Sequence, residues 1–319
     1  MGYFENKKVL VAGGSGFIGT NLAIKLLEDK AIVRSADLQE PQLRNSKAEY
    51  VKRDFTKEED CHKAVEGMDY VFMAAANTSG AAVMEKTPLV HVTPNIMMNS
   101  LMLKASYEAG VKKFLFISSN TVYPNSEDPV KEEDMEYGNL YPKYYFVAWM
   151  KQFSEVLCEM YTKVKNPMKT VVVRPANSYG PYAEFDWERS HVIPALVRKA
   201  VERHDPIEVW GDGNDIKDFI YIEDLVEGMM LAMEKIESFE PVNLATGQPC
   251  TIKEILNAIL KAADYEDAKI AFDASKPTMI PKRLINPAKA KNLLGFEART
   301  SIEEGIKKMV DWYKNKTIK

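Results

Sequence analysis

Seven residues near the start of the chain constrain its fold more than any other segment. The apolar run Lys8–Ala12 leads into the sequence GGSGFIG at residues 13–19, and the apolar periodicity of a helix follows at once. Glycines at positions 13, 16 and 19 suit a tight turn, a close approach of backbone to ligand, and close helix–strand packing. Free N–H groups at the start of such a helix favour an anion, so the pattern predicts a dinucleotide pyrophosphate site. The predicted binding residues of this turn are Gly13, Ser15, Gly16, Phe17, Ile18 and Gly19.

A carboxylate ends the second apolar run, which starts at Ile32 and closes at Asp37. Its distance from the glycines is that of an acid which hydrogen-bonds the adenosine ribose hydroxyls. Because a carboxylate repels the extra phosphate of NADP, NAD is the predicted cofactor, while Arg34 and Arg44 leave NADP open. Residues after the third and fourth strands are predicted to flank the adenine or to let the cofactor pass close to backbone, although plain tight packing explains the alanines nearly as well. These residues are Asp54, Phe55, Ala74, Ala75 and Ala76.

Short apolar runs alternate with helical patterns through the first half of the chain. Runs at residues 71–73, 114–117 and 171–173 are apolar throughout, and helices are predicted at 95–109 and 144–161. Strands of this kind separated by helices indicate an α/β fold with a doubly wound parallel sheet, the Rossmann arrangement.

Shorter elements follow residue 175, where prolines and glycines become frequent. Helices are predicted there at residues 193–201, 224–233, 252–262 and 301–313. The sequence therefore predicts two domains. Residues 1–175 form the cofactor-binding domain, and residues 176–319 form a smaller substrate-binding α/β lobe, with some chain returning to the first domain.

The composition of the 319 residues excludes several classes of protein. Lys and Arg number 42 against 46 Asp and Glu, a formal charge of -4 without a basic block, so a nucleic-acid partner is not expected. No apolar run approaches the roughly 20 residues of a spanning helix, and the first residues are polar, so neither membrane insertion nor secretion is expected. Three widely separated cysteines fit a reducing cytoplasm.

Two further segments carry a family resemblance. They read SSNTVYP at residues 118–124 and RPANSYGP at residues 174–181. Together with the glycine turn and Asp37, they make the chain resemble the extended short-chain dehydrogenase/reductases over nearly its whole length. Within that superfamily, SHVIPAL at residues 190–196 and VWG at residues 209–211 resemble the GDP-L-fucose synthases. The resemblance implies an enzyme that moves a hydride at C4 of a nucleotide-diphosphate sugar, as an epimerase and reductase.

The resemblance also implies roles for individual residues. Ser119 takes the place of the catalytic Ser or Thr, Lys151 that of the catalytic and cofactor-binding lysine, and His191 that of a second acid/base residue. Pro175 is placed beside the cofactor. His191 could equally be a helix-start histidine that moves no proton, and the cations of the implied diphosphate site could be solvated surface charges. The implied substrate-binding residues are Thr121, where fucose synthases have a Cys, and Asn177, Val192, Trp210, Lys217 and Arg283.

One departure from the family concerns its catalytic Tyr-x-x-x-Lys pair. That spacing puts both side chains on one helix face, and the lysine lowers the pKa of the tyrosine so that the phenol can exchange a proton. Placing the family's lysine on Lys151 puts Val147 at the tyrosine position. Tyr144 and Tyr145 lie just upstream, but a regular helix turns Tyr145 about 120° away from Lys151 and leaves Tyr144 two turns off. A distorted helix start is therefore needed to make Tyr145 the predicted acid/base.

Two other interpretations of Val147 stay open. The enzyme works with the serine, the lysine and a water, or the chain is a non-catalytic sensor that keeps NAD. Asp37 is a second departure, since fucose synthases reduce with NADPH, whereas tightly held NAD belongs to related nucleotide-sugar epimerases, dehydratases and dehydrogenases. Wide apolar faces on the helices at 95–109 and 144–161 also predict a homodimer.

Overall fold

A computed structural model describes residues 2–78, 87–187, 189–276 and 278–317 of the chain. Its main sheet has seven strands, and every neighbouring pair is parallel. In the order in which they lie across the sheet, the strands are β3 (Glu49–Lys52), β2 (Ile32–Asp37), β1 (Lys8–Ala12), β4 (Tyr70–Met73), β5 (Lys113–Ile117), β6 (Lys169–Pro175) and β10 (Pro241–Leu244). The predicted doubly wound α/β fold is confirmed.

The central strands β1, β4 and β5 are apolar apart from the lysines that begin β1 and β5, because both faces of the sheet are covered. Alternate residues of β1 enter different cores, Val9 and Val11 on one face and Leu10 and Ala12 on the other. Helices α2 (Glu58–Val65), α3 (Leu89–Glu108) and α4 (Tyr145–Thr162) contribute to the core that holds Leu10. Helices α1 (Phe17–Glu28) and α6 (Ile222–Lys235) contribute to the core that holds Val9.

The remaining strands form two small sheets. Central strand β9 (Ile216–Tyr221) pairs antiparallel with β11 (Pro249–Thr251) and parallel with β7 (Asn177–Tyr179) and β13 (Lys282–Arg283). Strands β8 (Ile207–Trp210) and β12 (Ile270–Asp273) form a parallel pair. The helices of this part are α5 (Val192–Val201), α7 (Ile252–Ala262), α8 (Ala288–Leu294) and α9 (Ile302–Thr317). Strand β10 lies in the main sheet, so the chain returns there after β9.

The helix predicted at residues 95–109 begins earlier, at Leu89, and carries Pro94 inside it. A proline cannot donate the helical hydrogen bond to the carbonyl four residues before it, which here is that of Val90. The side-chain amide of Asn77 donates to the Val90 carbonyl instead, at 3.1 Å. The long-range bond satisfies the carbonyl that Pro94 leaves without its helical donor. Among the described residues, no helix is long and apolar enough to cross a membrane.

Candidate functional site

Most of the predicted site residues follow the carboxyl ends of strands in the main sheet. The glycine turn follows β1, Asp37 ends β2, Ala74 follows β4, Ser119 follows β5 and Pro175 ends β6. Because the strands are parallel, these ends lie along one edge of the sheet. The strand order reverses between β1 and β4, and open α/β sheets bind their ligands in the crevice at such a point.

The glycine turn holds its three glycines for two different reasons. Gly13 has a φ of 85°, and a Cβ there would lie 2.3 Å from the backbone nitrogen of Ala75. A Cβ on Gly19 would lie 2.0 Å from the carbonyl oxygen of Gly13, so both positions are fixed by packing within the protein. Gly16 is exposed, and a Cβ there would meet only the Gly13 oxygen, at 3.4 Å. Gly16 is the N-cap of α1, and because it has no side chain to cover the helix start, the space there is open to an anion.

Substituting alanine separates these two reasons. Gly16→Ala is expected to leave the free energy of unfolding within about 1 kcal/mol of the wild type, because its backbone is in the extended region. It should still weaken NAD binding about tenfold or more, since a methyl group obstructs the approach of the pyrophosphate. Urea unfolding and NAD titration of the same protein measure the two effects. Gly19→Ala is the matched control, expected to destabilise the fold itself. Unchanged NAD affinity in Gly16→Ala would contradict the assignment.

Asp37 ties the glycine turn to the end of β2. Its carboxylate accepts hydrogen bonds from the backbone N–H groups of Ser15 (3.0 Å) and Gln39 (2.9 Å). The two arginines that left NADP open are both paired elsewhere. Arg34 donates to Glu49 at 2.7 Å and to main-chain carbonyls, and Arg44 pairs with Glu40 at 2.6 Å. The acid beside the turn is thus held in place, and each arginine has a carboxylate partner.

This arrangement predicts the choice of cofactor. NAD(H) is expected to bind more than tenfold tighter than NADP(H), a difference of about 1.4 kcal/mol or more, because Asp37 repels the 2′-phosphate. Titration of both cofactors followed by intrinsic fluorescence or calorimetry measures the ratio, and Asp37→Asn should reduce it. Equal or reversed affinities in the wild-type protein would overturn this prediction.

The other predicted cofactor residues have structural partners of their own. The Asp54 carboxylate accepts the Thr56 hydroxyl at 2.6 Å, and this hydrogen bond holds the pKa of Asp54 below its usual range. Phe55 is buried in the core beside Cys61. Ala75 packs against Gly13, which is the tight packing offered as the alternative for the alanines. Ala74 is half-buried and Ala76 exposed at the same strand end.

Ser119 and Lys151 lie at the carboxyl end of β5. The Lys151 ammonium donates to the carbonyl of Ile117, the last residue of the strand, at 2.8 Å. Ser119 caps the short 3₁₀ turn that follows, and its hydroxyl accepts the backbone N–H of Thr121 at 3.2 Å. Both side chains are half-buried. Burial lowers the pKa of Lys151 to about 8, against the charge of Glu155, which raises it. The structure therefore brings the predicted serine and lysine to one strand end.

Helix α4 is regular where the predicted acid/base required a distortion. It runs without a break from Tyr145, after a single 3₁₀ turn at Pro142–Tyr144. Tyr145 is 50% exposed and its ring contacts Phe146, so the structure does not bring it to Lys151. Val147 packs instead beside Tyr144 in a small apolar cluster with Ile280. The acid/base role of Tyr145 does not fit this geometry, because six residues of regular helix turn it away from Lys151.

A buried polar network beneath these residues was not foreseen from the sequence. Glu155, one turn after Lys151, accepts two hydrogen bonds from Arg174 of β6 at 2.6 and 3.0 Å. It also accepts the Ser118 hydroxyl, and both charged side chains are 1% exposed. Arg174 further contacts the Tyr123 phenol at 3.1 Å. The sequence signal that could have revealed this network is a charged residue next to an apolar run in each element, Glu155 in α4 and Arg174 in β6.

His191 lies at the start of a helix in the second part of the chain. It is the N-cap of α5, and its imidazole keeps accessible surface while burial by the surrounding protein lowers its pKa. A lowered pKa leaves a neutral ring at pH 7, which can accept a proton. Val192 follows it and is 38% exposed. Trp210 ends β8, also exposed, with its indole N–H donated to Glu208 at 3.1 Å.

The predicted diphosphate-binding residues lie at different depths. Lys217 and Arg283 are register partners on β9 and β13 and therefore share a face. The Lys217 ammonium pairs with Asp215 at 3.2 Å, and Asn177 donates to the carbonyl of Asp218 at 3.0 Å. Arg283 is 1% exposed, and its guanidinium donates to the carbonyls of Pro124 (2.7 Å) and Tyr123 (3.2 Å). Its predicted role in binding the diphosphate does not fit this burial, since the guanidinium already donates hydrogen bonds to main-chain oxygens.

Two buried donor groups of the site have no partner in the structure. They are the Thr121 hydroxyl and the Arg283 Nε. The part of the chain that the structure describes contains no group of three or more His, Cys, Asp or Glu residues that could hold a metal ion.

Comparison with known proteins identifies a family and relatives that align with most of the chain. Residues 9–245 match the NAD dependent epimerase/dehydratase family. The chain is 29% identical to a GDP-L-fucose synthase of Sinorhizobium fredii over 311 residues, which covers 95% of this chain and 94% of the relative. It is 30% identical to the GDP-L-fucose synthase of Escherichia coli over 326 residues, with 97% of each chain covered.

Solved structures resemble the fold closely. A UDP-glucose 4-epimerase of Thermotoga maritima, crystallised with UDP-glucose, superposes with a TM-score of 0.87 at 27% identity. The superposition covers 98% of this chain and 99% of that one. The strand order and the glycine turn thus lie in a fold shared with nucleotide-sugar enzymes.

Proposed function

Because the chain belongs to the NAD dependent epimerase/dehydratase family and is an enzyme of that kind, we propose that it transfers a hydride at C4 of a nucleotide-diphosphate sugar. The observation that carries this proposal is the position of Ser119 and Lys151 at the end of β5, on the sheet edge that also carries the glycine turn. We further propose a GDP-sugar as substrate and an epimerase–reductase reaction. Two relatives named GDP-L-fucose synthase, aligned over nearly their whole length, support this choice.

The residues of the sheet edge fit an NAD molecule. Gly16 leaves open space at the start of α1, and Asp37 presents a carboxylate beside the same turn. When bound, the nicotinamide of NAD supplies the hydride acceptor or donor. We propose that Lys151 binds the nicotinamide ribose, that Ser119 holds the sugar oxygen at C4, and that residues 1–175 form the cofactor-binding domain.

The lobe of residues 176–319 is proposed to hold the sugar nucleotide. Lys217 is the cation of the proposed diphosphate site, and a phosphate would compete with Asp215 for it. His191 accepts or donates a proton from the other side of the sugar, and the exposed side chains of Val192 and Trp210 belong to the same lobe. Asn177 and Thr121 complete the proposed substrate contacts.

A second candidate reaction is supported by Asp37. An acid that favours NAD suits a 4-epimerase, which oxidises and then re-reduces the same carbon without net consumption of cofactor. The likeness to the Thermotoga enzyme at 27% identity is consistent with this alternative. A dehydratase, a dehydrogenase and a non-catalytic NAD sensor use the same cofactor site, and turnover distinguishes them.

Mass spectrometry of the nucleotides released from purified protein tests the cofactor first. Turnover is then measured with a panel of GDP-, UDP-, CDP- and dTDP-sugars, with and without added NAD(P)H. A GDP-4-keto-6-deoxy sugar reduced only with added cofactor supports the epimerase–reductase. Inversion at C4 without added cofactor supports the second candidate, and bound NAD without turnover on any sugar identifies a sensor.

The exposed apolar side chains of α3 and α4 predict a homodimer. The structure buries Met102 against the sheet but leaves Met97 (44%), Phe153 (43%) and Met160 (55%) exposed. These two helices are expected to pair with their symmetry mates in a four-helix interface. Light scattering at micromolar concentration should therefore give twice the chain mass, and Phe153→Asp should give a monomer. A monomeric wild-type protein would refute the interface.

A further inference from the structure

The proton of the sugar hydroxyl needs a partner at the end of β5, and the position one turn before Lys151 has no polar group. Val147 lies there, packed in the apolar cluster of Tyr144 and Ile280. The Lys151 ammonium is fixed at this place by the Ile117 carbonyl and lies 4.9 Å from the centre of the Phe116 ring. Lys151 is therefore a titratable group held in a fixed position at the strand end. It lies one helical turn from Val147, which provides no phenol.

The neighbouring titratable groups are committed to other contacts. The Tyr123 phenol is buried and donates to the Asn243 side chain at 2.6 Å, and burial raises its pKa. Burial likewise raises the pKa of Tyr144 to about 12, although the backbone of Ile280 and the charge of Arg283 act against this. Tyr145 is exposed on another side of the helix.

We propose, on the basis of the function proposed above, that Lys151 is itself the acid and base that exchanges the proton of the sugar hydroxyl. In the oxidation, the C4 hydrogen leaves with its electron pair for the nicotinamide of NAD, and the C4–O bond becomes a carbonyl. The hydroxyl proton passes to the neutral Lys151 amine, which becomes an ammonium, and Ser119 hydrogen-bonds the sugar oxygen. Reduction reverses each transfer. Lysine thus takes the part for which the family has a tyrosine.

The charged groups around Lys151 fix the direction of its pH dependence. On its own helix, Glu155 raises the pKa of Lys151, but that carboxylate is shared with Arg174 of β6 and with the Ser118 hydroxyl. Strand β5 offers the Ile117 carbonyl and the Phe116 ring, and its one charged side chain, Lys113 at the opposite end of the strand, pairs with Glu237.

Helix α3 packs against α4 as well, and each of its titratable groups has a partner of its own. His91 contacts the Asn77 carbonyl, Lys104 pairs with Glu58, the Tyr107 ring lies against Tyr161, and Glu108 lies 3.4 Å from His62. Burial is therefore the dominant influence on Lys151, and it favours the neutral amine. The oxidation rate is expected to rise with pH through about 8, and the reduction rate to fall over the same interval.

The titration of Lys151 can be measured without cofactor or sugar. Limiting acetylation of the native protein at a series of pH values, read by peptide mass spectrometry, gives the reactivity of each lysine. Lys151 should titrate with a midpoint near 8, while the exposed Lys47 and Lys165 serve as internal references. A Lys151 midpoint near the ordinary lysine value of about 10.4 would overturn the proposal, whatever the enzyme turns over.

Turnover provides the second arm of the test. Lys151→Arg keeps the positive charge but cannot release a proton near neutral pH, so NAD affinity should change only a few-fold while turnover falls ~10²–10⁴-fold. Lys165→Arg, at an exposed position, is the matched control and should leave turnover unchanged. Val147→Tyr in the Lys151→Arg protein should restore activity, because it supplies a phenol one turn away. A Lys151→Arg enzyme with wild-type rate and pH profile would overturn the proposal, whereas absent NAD binding in the wild type would overturn the proposed function instead.

Discussion

Exchanging Glu155 for Gln is expected to lower the free energy of unfolding by about 3–5 kcal/mol, because it leaves the Arg174 guanidinium charged and unpaired in the interior. Both side chains are 1% exposed, and their two hydrogen bonds join α4 to β6. The same carboxylate accepts the Ser118 hydroxyl, so a second group loses its charged partner. Urea unfolding at neutral pH, followed by circular dichroism, measures the loss.

Glu159→Gln provides the matched control one turn further along the helix. Glu159 pairs with Lys163 at 2.6 Å, but that pair is at the surface. Removing an exposed ion pair costs about 0–1 kcal/mol, so the two substitutions should differ by several-fold in their effect. Equal, small losses for both variants would show that the Glu155–Arg174 pair contributes little to stability.

The sheet could be predicted from the sequence because local patterns determine it. Strands β5 and β6 lie between two covered faces, so each contains an uninterrupted apolar run that is visible without a structure. The glycine turn was visible for a similar reason. Positions 13 and 19 tolerate no side chain for reasons of packing, and such constraints leave their mark at fixed spacing.

The start of α3 could not be predicted in this way. A proline such as Pro94 normally marks a helix boundary, and here the Val90 carbonyl that it leaves without a helical donor accepts a bond from the side chain of Asn77. A contact that depends on where another loop lies leaves no periodic signal. The same limit applies to how deeply a side chain is buried. Lys217 and Arg283 are both cations in the sequence, but only the structure shows that the Arg283 guanidinium donates to the carbonyls of Pro124 and Tyr123.

The candidate catalytic residues needed a family resemblance as well as a pattern. Ser119 and Lys151 are separated by 32 positions, and their approach to one strand end depends on how α4 packs on β5. The regularity of α4 likewise decided against Tyr145, since only a distorted helix start would have turned its phenol toward the lysine. Sequence spacing supplied the candidates, and the course of the helix selected among them.

Lys151→Met is expected to damage both cofactor affinity and turnover, because one ammonium serves the nicotinamide ribose and the reacting sugar in the proposed site. Its loss should weaken NAD binding about tenfold or more and reduce kcat ~10²–10⁴-fold. The Met side chain is of similar length and apolar, so the half-buried position remains filled. NAD titration and steady-state kinetics on the same preparation measure the two effects, and an unchanged melting temperature shows that the fold is intact.

Ser119→Ala separates the two functions of this strand end. The Ser119 hydroxyl is proposed to contact the sugar oxygen but not the cofactor, so the substitution should lower kcat ~10²–10⁴-fold while NAD affinity stays within a few-fold of the wild type. The fold should tolerate the change, since the only bond that the hydroxyl makes among the described residues is accepted from the Thr121 N–H at 3.2 Å. If Ser119→Ala weakened NAD binding as strongly as Lys151→Met, the serine would belong to the cofactor site. If it left the rate untouched, the sugar oxygen would have to lie elsewhere, and the end of β5 would hold the cofactor alone.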